Sequence, residues 1–300
     1  MAWQTVVEML RRERRAGVLV TVTQVRGHAP REAGAKMVVA LREPGVGPSD
    51  LEPAARVQAW GTIGGGNLEE TALARAGELL LGLPGPPETF TLQLTERART
   101  EHGRQCCGGE VTLLLEPLPE PASVAVFGVG HVGLELARIL SRQELELHLV
   151  DSRSDRVDEA VLGFLDEGLA EVHRHHAPLP ELVLGELPRG SHVLVMTHDH
   201  AEDFALCDAA LRCEHLGSIG LIGSAAKWRR FQHGLGIEGH AADAIARIQC
   251  PIGRPELTAK DPATIAVGVA ADLLPRLAPA SATPVARRTS RDPGRAARDG

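Results

Sequence analysis

The chain is 300 residues long, and its 43% hydrophobic content is enough to bury the cores of two domains of ordinary size. Its formal net charge of -7 argues against a generic nucleic-acid binder, because such proteins need a basic face to displace counterions. The start lacks the basic and apolar regions of a signal peptide, no long apolar run follows, and five unevenly spaced cysteines are too few for a disulfide framework. We therefore expect a cytoplasmic protein with reduced thiols and no membrane span.

The first 117 residues predict an α+β domain. Residues 2–15 have apolar side chains at helical spacing, and short alternating runs typical of strands follow. After this helix the predicted elements are strands 18–25, 36–41 and 56–61, a helix over 68–81, and strands 89–94 and 110–116. The proline-rich run 117–121 is predicted to link this domain to the next, because proline stiffens the chain and forbids helix.

From residue 122 onward strands alternate with helices, which is typical of a parallel α/β sheet. The predicted strands are 123–127, 146–150, 169–173, 192–196 and 218–222, and the last helix covers 262–274. The fold class is therefore α/β, with an N-terminal α+β domain over 1–117 followed by a Rossmann-like parallel-sheet domain over 122–274. Residues 275–300 are predicted to be a disordered tail, because they have few large apolar groups to bury.

A glycine motif follows the first strand of the second domain. Gly128, Gly130 and Gly133 form GxGxxG directly after a β-branched run, and Asp151 ends the next apolar run. In a mononucleotide-binding unit, the first glycine allows a tight turn, the second lets backbone approach a phosphate and the third allows close helix packing. The motif predicts a cofactor site, but the same glycines can also be kept for packing alone.

Two cations of the first domain are candidates for binding a phosphate. Arg31 ends the loop Gly27-His-Ala-Pro-Arg, and its guanidinium offers two parallel hydrogen bonds. Lys36 lies five residues later, where the second strand is predicted to begin.

A second glycine-rich segment precedes the helix predicted over 68–81. The backbone N–H groups of Gly64, Gly65 and Gly66 are expected near the positive end of this helix, where they would cradle an anion. Glu69 has two opposing effects on such a site. Its negative charge stabilises the helix through the helix dipole, but the same charge would repel a nearby phosphate. This segment and the loop Gly27-His-Ala-Pro-Arg can each also be an ordinary turn.

Adjacent thiols lie between the last two predicted strands of the first domain. Cys106 and Cys107 are followed by two glycines, and no second thiol pair exists to complete a structural zinc site. A thiolate beside a glycine hinge can ligate a soft metal or handle sulfur. The alternative is a small buried cysteine beside a turn.

The second domain has further candidates after its later strands. His198 follows a predicted central strand and could contact a ligand or transfer a proton. Asp199 is a good helix N-cap, and Glu202 three residues later completes a capping-box pattern. Ser224 and Lys227 repeat the strand, turn and helix arrangement, with a cation one turn into the helix that suits an anionic ligand.

Three more histidines, His173, His175 and His176, are expected past the end of a strand, as surface residues rather than ligands.

Taken in order, these motifs resemble the XdhC/CoxI family, the accessory factors of xanthine dehydrogenase and related molybdenum hydroxylases. The segments that carry the resemblance are Gly27-His-Ala-Pro-Arg31, Thr62-Ile-Gly-Gly-Gly-Asn-Leu-Glu69, Gln105-Cys-Cys-Gly-Gly-Glu110, the mid-chain GxGHVG, Met196-Thr-His-Asp-His200, Leu221-Ile-Gly-Ser224, Cys250-Pro-Ile-Gly253 and Ile265-Ala-Val-Gly-Val-Ala-Ala271. The resemblance covers about residues 3–274. It departs from the family at Cys106-Cys107, where a single cysteine followed by a small residue is more common.

The resemblance implies a chaperone that binds the molybdenum cofactor (molybdopterin), protects it during sulfuration and passes it to an apo-hydroxylase. The implied partners are apo-xanthine dehydrogenase or a related molybdenum hydroxylase and a cysteine desulfurase, with a homodimer left open. The residues expected to bind the cofactor are Arg31, Lys36, Gly64, Gly65, Gly66, Cys106, Cys107, Gly128, Gly130, Gly133, Asp151, His198 and Ser224, with Cys106 and Cys107 as candidate molybdenum contacts.

An NAD(P)-dependent oxidoreductase is the alternative that the glycine motif leaves open. A nucleotide would then occupy the Rossmann site, and Asp151 would favour a ribose 2′-OH over a 2′-phosphate. His198 is the only candidate for its proton transfer. The resemblance implies a chaperone rather than an enzyme, and the oxidoreductase stays the alternative.

Overall fold

The computed structural model describes residues 1–42, 56–82, 85–94 and 109–277. The chain divides into two compact units between Glu120 and Pro121. Among the described residues, no helix is both long and apolar enough to cross a membrane.

The first unit is an antiparallel sheet with one helix on each face. Its elements are α1 (Trp3–Arg12), β1 (Gly17–Arg26), β2 (Lys36–Leu41), β3 (Val57–Gly61), α2 (Gly66–Leu81), β4 (Glu88–Gln93) and β5 (Glu110–Leu118), with strand order β3-β2-β1-β5-β4. Alternation along β1 directs Val18 and Val20 to the α2 face and Leu19 to the α1 face, where it packs with Leu10. The first six residues of β1 and the middle of β2 are therefore buried on both faces of the sheet.

The second unit has six parallel strands. Its elements are β6 (Ala122–Phe127), α3 (His131–Leu140), β7 (Leu145–Asp151), α4 (Glu159–Leu162), β8 (Glu171–His176), β9 (His192–Val195), α5 (His200–Arg212), β10 (Ser218–Leu221), α6 (Ala225–Ile237), α7 (Ala242–Ile245), β11 (Ile248–Gln249) and α8 (Pro262–Leu277), with short 3-10 helices at 154–156, 163–167 and 180–186. The strand order is β11-β10-β9-β6-β7-β8, with every pair parallel. The Rossmann-like α/β fold class is confirmed.

Cores lie on both faces of this sheet. Val124 and Leu147 point to the face covered by α3 and α8, whereas Phe127 and Val195 point to the face covered by α5 and α6. Because both faces are buried at the centre of the sheet, β6 and β9 read as nearly continuous apolar runs, which made them visible in the sequence.

Several boundaries differ from the predictions. The linker expected at 117–121 starts later, because β5 pairs with β1 as far as Leu118. Pro117 is tolerated in β5 since β4 pairs only with residues up to Leu115, which leaves the second edge of β5 open there. α8 runs to Leu277, three residues into the predicted tail, because Leu274 and Leu277 pack against the core. The rest of the tail lies outside the described residues.

β8 begins two residues later than predicted. The N–H groups of Leu169 and Ala170 donate to the carbonyl oxygen of Ser141, at 2.7 and 3.0 Å, so these residues are tied to the end of α3 and not to the strand ladder. The prediction that His173, His175 and His176 lie past the end of a strand is therefore wrong, because all three belong to β8.

Candidate cofactor-binding site

The carboxyl ends of the parallel strands meet at one edge of the second unit's sheet, which is where open α/β sheets bind ligands. We call this the carboxyl edge, and it consists of residues 128–130, 151–153, 196–200 and 222–224, which follow or end β6, β7, β9 and β10. The strand order reverses between β6 and β9, which defines the crevice favoured for cofactors. The predicted residues Gly128, Gly130, Asp151, His198 and Ser224 all lie along this edge.

Two glycines of the motif are required by packing. Gly128 has φ of 102°, and a Cβ there would lie 2.5 Å from the carbonyl oxygen of Met196 at the end of β9. A Cβ on Gly133 would overlap the carbonyl oxygen of Gly128, so this glycine lets α3 approach the turn. Neither position needs a ligand to explain its residue.

Gly130 has no such packing reason. Its φ of -78° suits any residue, and a Cβ there would meet no atom within 4 Å. It is the N-cap of α3, yet no side chain caps this helix end. The turn therefore presents open space in front of a positive helix end, which suits the close approach of a phosphate.

Asp151 is bound within the protein. It is only 2% exposed, and its carboxylate accepts hydrogen bonds from the Val129 N–H at 2.8 Å and from the Arg153 guanidinium at 2.8 and 2.9 Å. Burial by itself would raise the pKa of Asp151, but the hydrogen bonds from Arg153 and Val129 outweigh it and lower the pKa. The carboxylate thus holds the glycine turn in place and is not free for a ribose.

The segment after β9 caps α5. The Asp199 carboxylate accepts from the N–H groups of Ala201 and Glu202 at 2.6 and 3.0 Å, and these hydrogen bonds lower its pKa. The N-cap prediction is confirmed, but the capping box is wrong, because the Glu202 carboxylate accepts from the Ser152 hydroxyl at 2.8 Å instead. His198 is exposed at this edge.

The segment after β10 caps α6. The Ser224 hydroxyl accepts from the Lys227 N–H at 3.2 Å. The Lys227 ammonium is buried, where it pairs with the Asp203 carboxylate and donates to the Ile222 carbonyl at 3.0 Å. The interpretation of Lys227 as a cation open to an anionic ligand is therefore wrong.

Asp203 was missed in the sequence and is central to this edge. It is 1% exposed, and besides Lys227 it accepts from the N–H and hydroxyl of Thr197, at 3.0 and 2.8 Å. It thereby joins the end of β9 to α5 and α6. Its only signal in the sequence was an acid in the first turn of a helix, which is too common to single out.

In the first unit, the predicted anion cradle is filled by the protein itself. The Glu69 carboxylate accepts from the N–H groups of Ile63, Gly64 and Gly65, at 3.0, 3.3 and 3.0 Å, and from the Thr62 hydroxyl. Burial would raise the pKa of Glu69, but these hydrogen bonds outweigh it and lower the pKa. The prediction that the N–H groups of Gly64 and Gly65 are free for a phosphate is therefore wrong. Gly66 is the first residue of α2 and has a positive φ of 60°.

The two predicted cations of this unit differ in their surroundings. Arg31 is exposed in its loop. The Lys36 ammonium donates to the Thr21 hydroxyl at 2.8 Å and lies 5.2 Å from the centre of the Trp3 ring, on the α1 face. Lys36 is therefore not brought to the glycine turn, which leads into α2 on the other face.

Three motifs of the first unit nevertheless converge. A Cβ on Gly64 would meet the Pro30 ring at 2.8 Å, and one on Gly109 would overlap the backbone of His28. The loop before Arg31 therefore contacts both the glycine turn and the residue that follows the cysteine segment in the chain. Cys106 and Cys107 themselves lie outside the described residues.

Two protein-family models match the chain. The model of the XdhC Rossmann domain matches residues 124–273, and that of the XdhC and CoxI family matches residues 10–90. The chain belongs to the XdhC and CoxI family.

No curated protein matches this XdhC/CoxI family member. It is similar to a Bacillus halodurans protein whose crystal structure is described as that of a xanthine dehydrogenase, with 19% identity over 92% of this chain and 96% of that one and a TM-score of 0.43.

The three cysteines among the described residues of this family member, Cys207, Cys213 and Cys250, form no disulfide and are buried or half-buried. Burial raises the pKa of Cys207 to about 12, and it also raises the pKa values of Cys213 and Cys250. Burial therefore favours the neutral thiol over the thiolate at each of these three positions.

Proposed function

We propose that this XdhC/CoxI family member binds the molybdenum cofactor, protects it during sulfuration and delivers it to xanthine dehydrogenase or a related molybdenum hydroxylase. The observation that carries the proposal is Gly130, a glycine with ordinary φ and no packing constraint in front of an uncapped helix end. Family membership supports an accessory role in maturing such hydroxylases.

The chemistry of the donor groups fits this cofactor. Its phosphate would lie at Gly130, where backbone N–H groups and the positive end of α3 favour an anion. When bound, the cofactor supplies the redox chemistry of the client enzyme through its molybdenum centre. Cys106 and Cys107 stay candidate contacts of that centre on the family resemblance, because thiolates ligate soft metals. His198 and Ser224 would line the same carboxyl edge as Gly130.

The NAD(P) alternative is less well supported. A dinucleotide ribose would need the Asp151 carboxylate, whose oxygens are engaged by Arg153 and Val129. NAD at 100 times its dissociation constant would stabilise the protein by about 2.7 kcal/mol, so a thermal shift with NAD separates the two proposals.

The main experiment compares Gly130→Asp with Gly130→Asn. Either side chain can cap α3 and neither meets an atom within 4 Å at Cβ, so both variants should fold. Only aspartate places a negative charge where the phosphate would bind. We expect the wild-type protein to retain molybdopterin through gel filtration, and Gly130→Asp to lose it far more than Gly130→Asn.

Cys106→Ala and Cys107→Ala test the molybdenum contact in the same assay. Weaker retention or sulfuration in either variant would identify the thiol involved. Equal retention by every variant and by a denatured sample would show that the binding is nonspecific and overturn the proposal.

A further inference from the structure

A group of histidines on β7 and β8 plays no part in the carboxyl edge. The two strands pair in parallel with His148 opposite His173 and Val150 opposite His175. Because side chains alternate along a strand, Glu146 and His148 share one face of β7, and His173 and His175 share that face of β8.

His148 is the buried centre of this group. It is 8% exposed, and its Nδ1 lies 3.2 Å from Nε2 of His175. Its Nε2 is buried without a hydrogen-bond partner and lies 3.8 Å from a carboxylate oxygen of Glu146. A buried polar atom left unsatisfied is costly, so this nitrogen calls for an explanation.

His173 and Glu146 complete a set of three metal-binding groups. The His173 ring stacks on that of His148, with centroids 4.7 Å apart. One ligand atom from each of Glu146, His148 and His173 can be chosen so that all three lie within 4.8 Å of one another. In a tetrahedral zinc site such atoms are about 3.3 Å apart, so only small side-chain movements are needed.

We propose that Glu146, His148 and His173 bind a divalent transition-metal ion of the zinc type. Two imidazoles and a carboxylate are ligands that suit this class of metal, and three protein ligands leave a fourth position for water. The ion would satisfy Nε2 of His148 and link β7 to β8, which is one of the two edge strands of the sheet. The side chain of His173 is 36% exposed, which gives the ion a path of entry.

His175 would act as a positioning residue. If His148 binds the metal through Nε2, its Nδ1 must carry the ring proton. The Nδ1–H group then donates a hydrogen bond to Nε2 of His175. Such partners fix the tautomer and orientation of a metal-binding histidine, and removing them lowers metal affinity by about 10- to 100-fold.

The experiment is a calorimetric titration of Zn²⁺ into the chelator-treated full chain. All variants carry Cys106→Ser and Cys107→Ser, so that metal bound by those thiols is not counted. We expect one Zn²⁺ site that is lost in His173→Gln and in Glu146→Gln and is weakened by about 10- to 100-fold in His175→Ala. His148 is left intact, because removing its buried ring would leave a cavity.

His176→Gln is the matched control. His176 lies on the same strand, is exposed and points to the opposite face, so this variant should bind Zn²⁺ like its parent. Titration with Co²⁺ should give a spectrum without the charge-transfer bands of thiolate ligands. The proposal would be overturned if His173→Gln bound Zn²⁺ as tightly as its parent, or if the parent bound no Zn²⁺. It would also be overturned if His176→Gln lost as much Zn²⁺ affinity as His173→Gln.

Discussion

Gly128, Gly130 and Gly133 form one motif in the sequence but serve three different purposes in the structure. Gly128 adopts a left-handed conformation against the end of β9, and Gly133 lets α3 pack closely against the glycine turn. Gly130 faces open space. A fold retained only for packing would explain the first and the last. The middle glycine is the position at which the motif points to a ligand.

Asp151→Asn should destabilise the second unit. The substitution removes the ion pair with Arg153 and weakens the hydrogen bond from Val129, which costs about 1–3 kcal/mol for charged partners. Urea unfolding at pH 7 measures this difference. Asp155→Asn is the control, because the Asp155 side chain is 72% exposed beside Arg156, and such pairs contribute about 0–1 kcal/mol.

The effect of Asp151 should also depend on pH. Its pKa is lower in the folded protein than its ordinary value of 3.8, so the folded state favours the charged form. The stabilisation by Asp151 is then complete above pH 5 or so and is lost as the pH falls through 3.8 toward the folded value. A stability difference between wild type and Asp151→Asn that stays constant down to pH 3 would contradict this assignment.

At the scale of single elements, the turn before α2 is stabilised by its own carboxylate. Glu69→Ala should lower the stability of the first unit by about 1–3 kcal/mol, because the N–H groups of Ile63, Gly64 and Gly65 lose their acceptor. The freed N–H groups then form an anion site at a helix start. We therefore expect sulfate to restore part of the lost stability in urea unfolding.

Glu70→Ala is the control for this prediction, since it removes the same charge from the neighbouring position. Sulfate should stabilise Glu69→Ala more than Glu70→Ala or the wild type. An equal response of all three proteins would mean that sulfate acts through general exclusion from the surface.

Two helical glycines should respond oppositely to the same substitution. Gly133→Ala would place a methyl group against the Gly128 carbonyl, and overpacking of this kind costs about 1–3 kcal/mol or more. Gly236→Ala on α6 meets no atom within 4 Å and should raise stability by up to about 1 kcal/mol, because alanine favours helix. Thermal unfolding compares the two variants. A loss of stability in Gly236→Ala would contradict the prediction that a methyl group fits at that position.

For the whole molecule, the architecture was predictable because both sheets give strong periodic signals. Side-chain contacts were not. Nothing local in the sequence shows that Glu69 folds back into its glycine turn, or that Lys227 is buried on Asp203. The histidine group was missed because the parallel pairing of β7 with β8 brings His148 next to His173 and His175, which are distant in the sequence.

The two units should also respond separately to destabilisation. Each has hydrophobic cores of its own, with residues such as Val20 and Leu68 in the first and Leu136 and Leu149 in the second. In hydrogen exchange followed by mass spectrometry, we expect Gly133→Ala to speed exchange in residues 121–277 and to leave 1–120 unchanged. Glu69→Ala should do the reverse.

Faster exchange throughout both units in either variant would mean that the chain unfolds as one cooperative body. Separate responses would show that a substitution in one unit leaves the other unit intact. If the proposed function holds, the effects of Gly130→Asp and of Cys106→Ala or Cys107→Ala on cofactor retention could then be measured separately and compared for additivity.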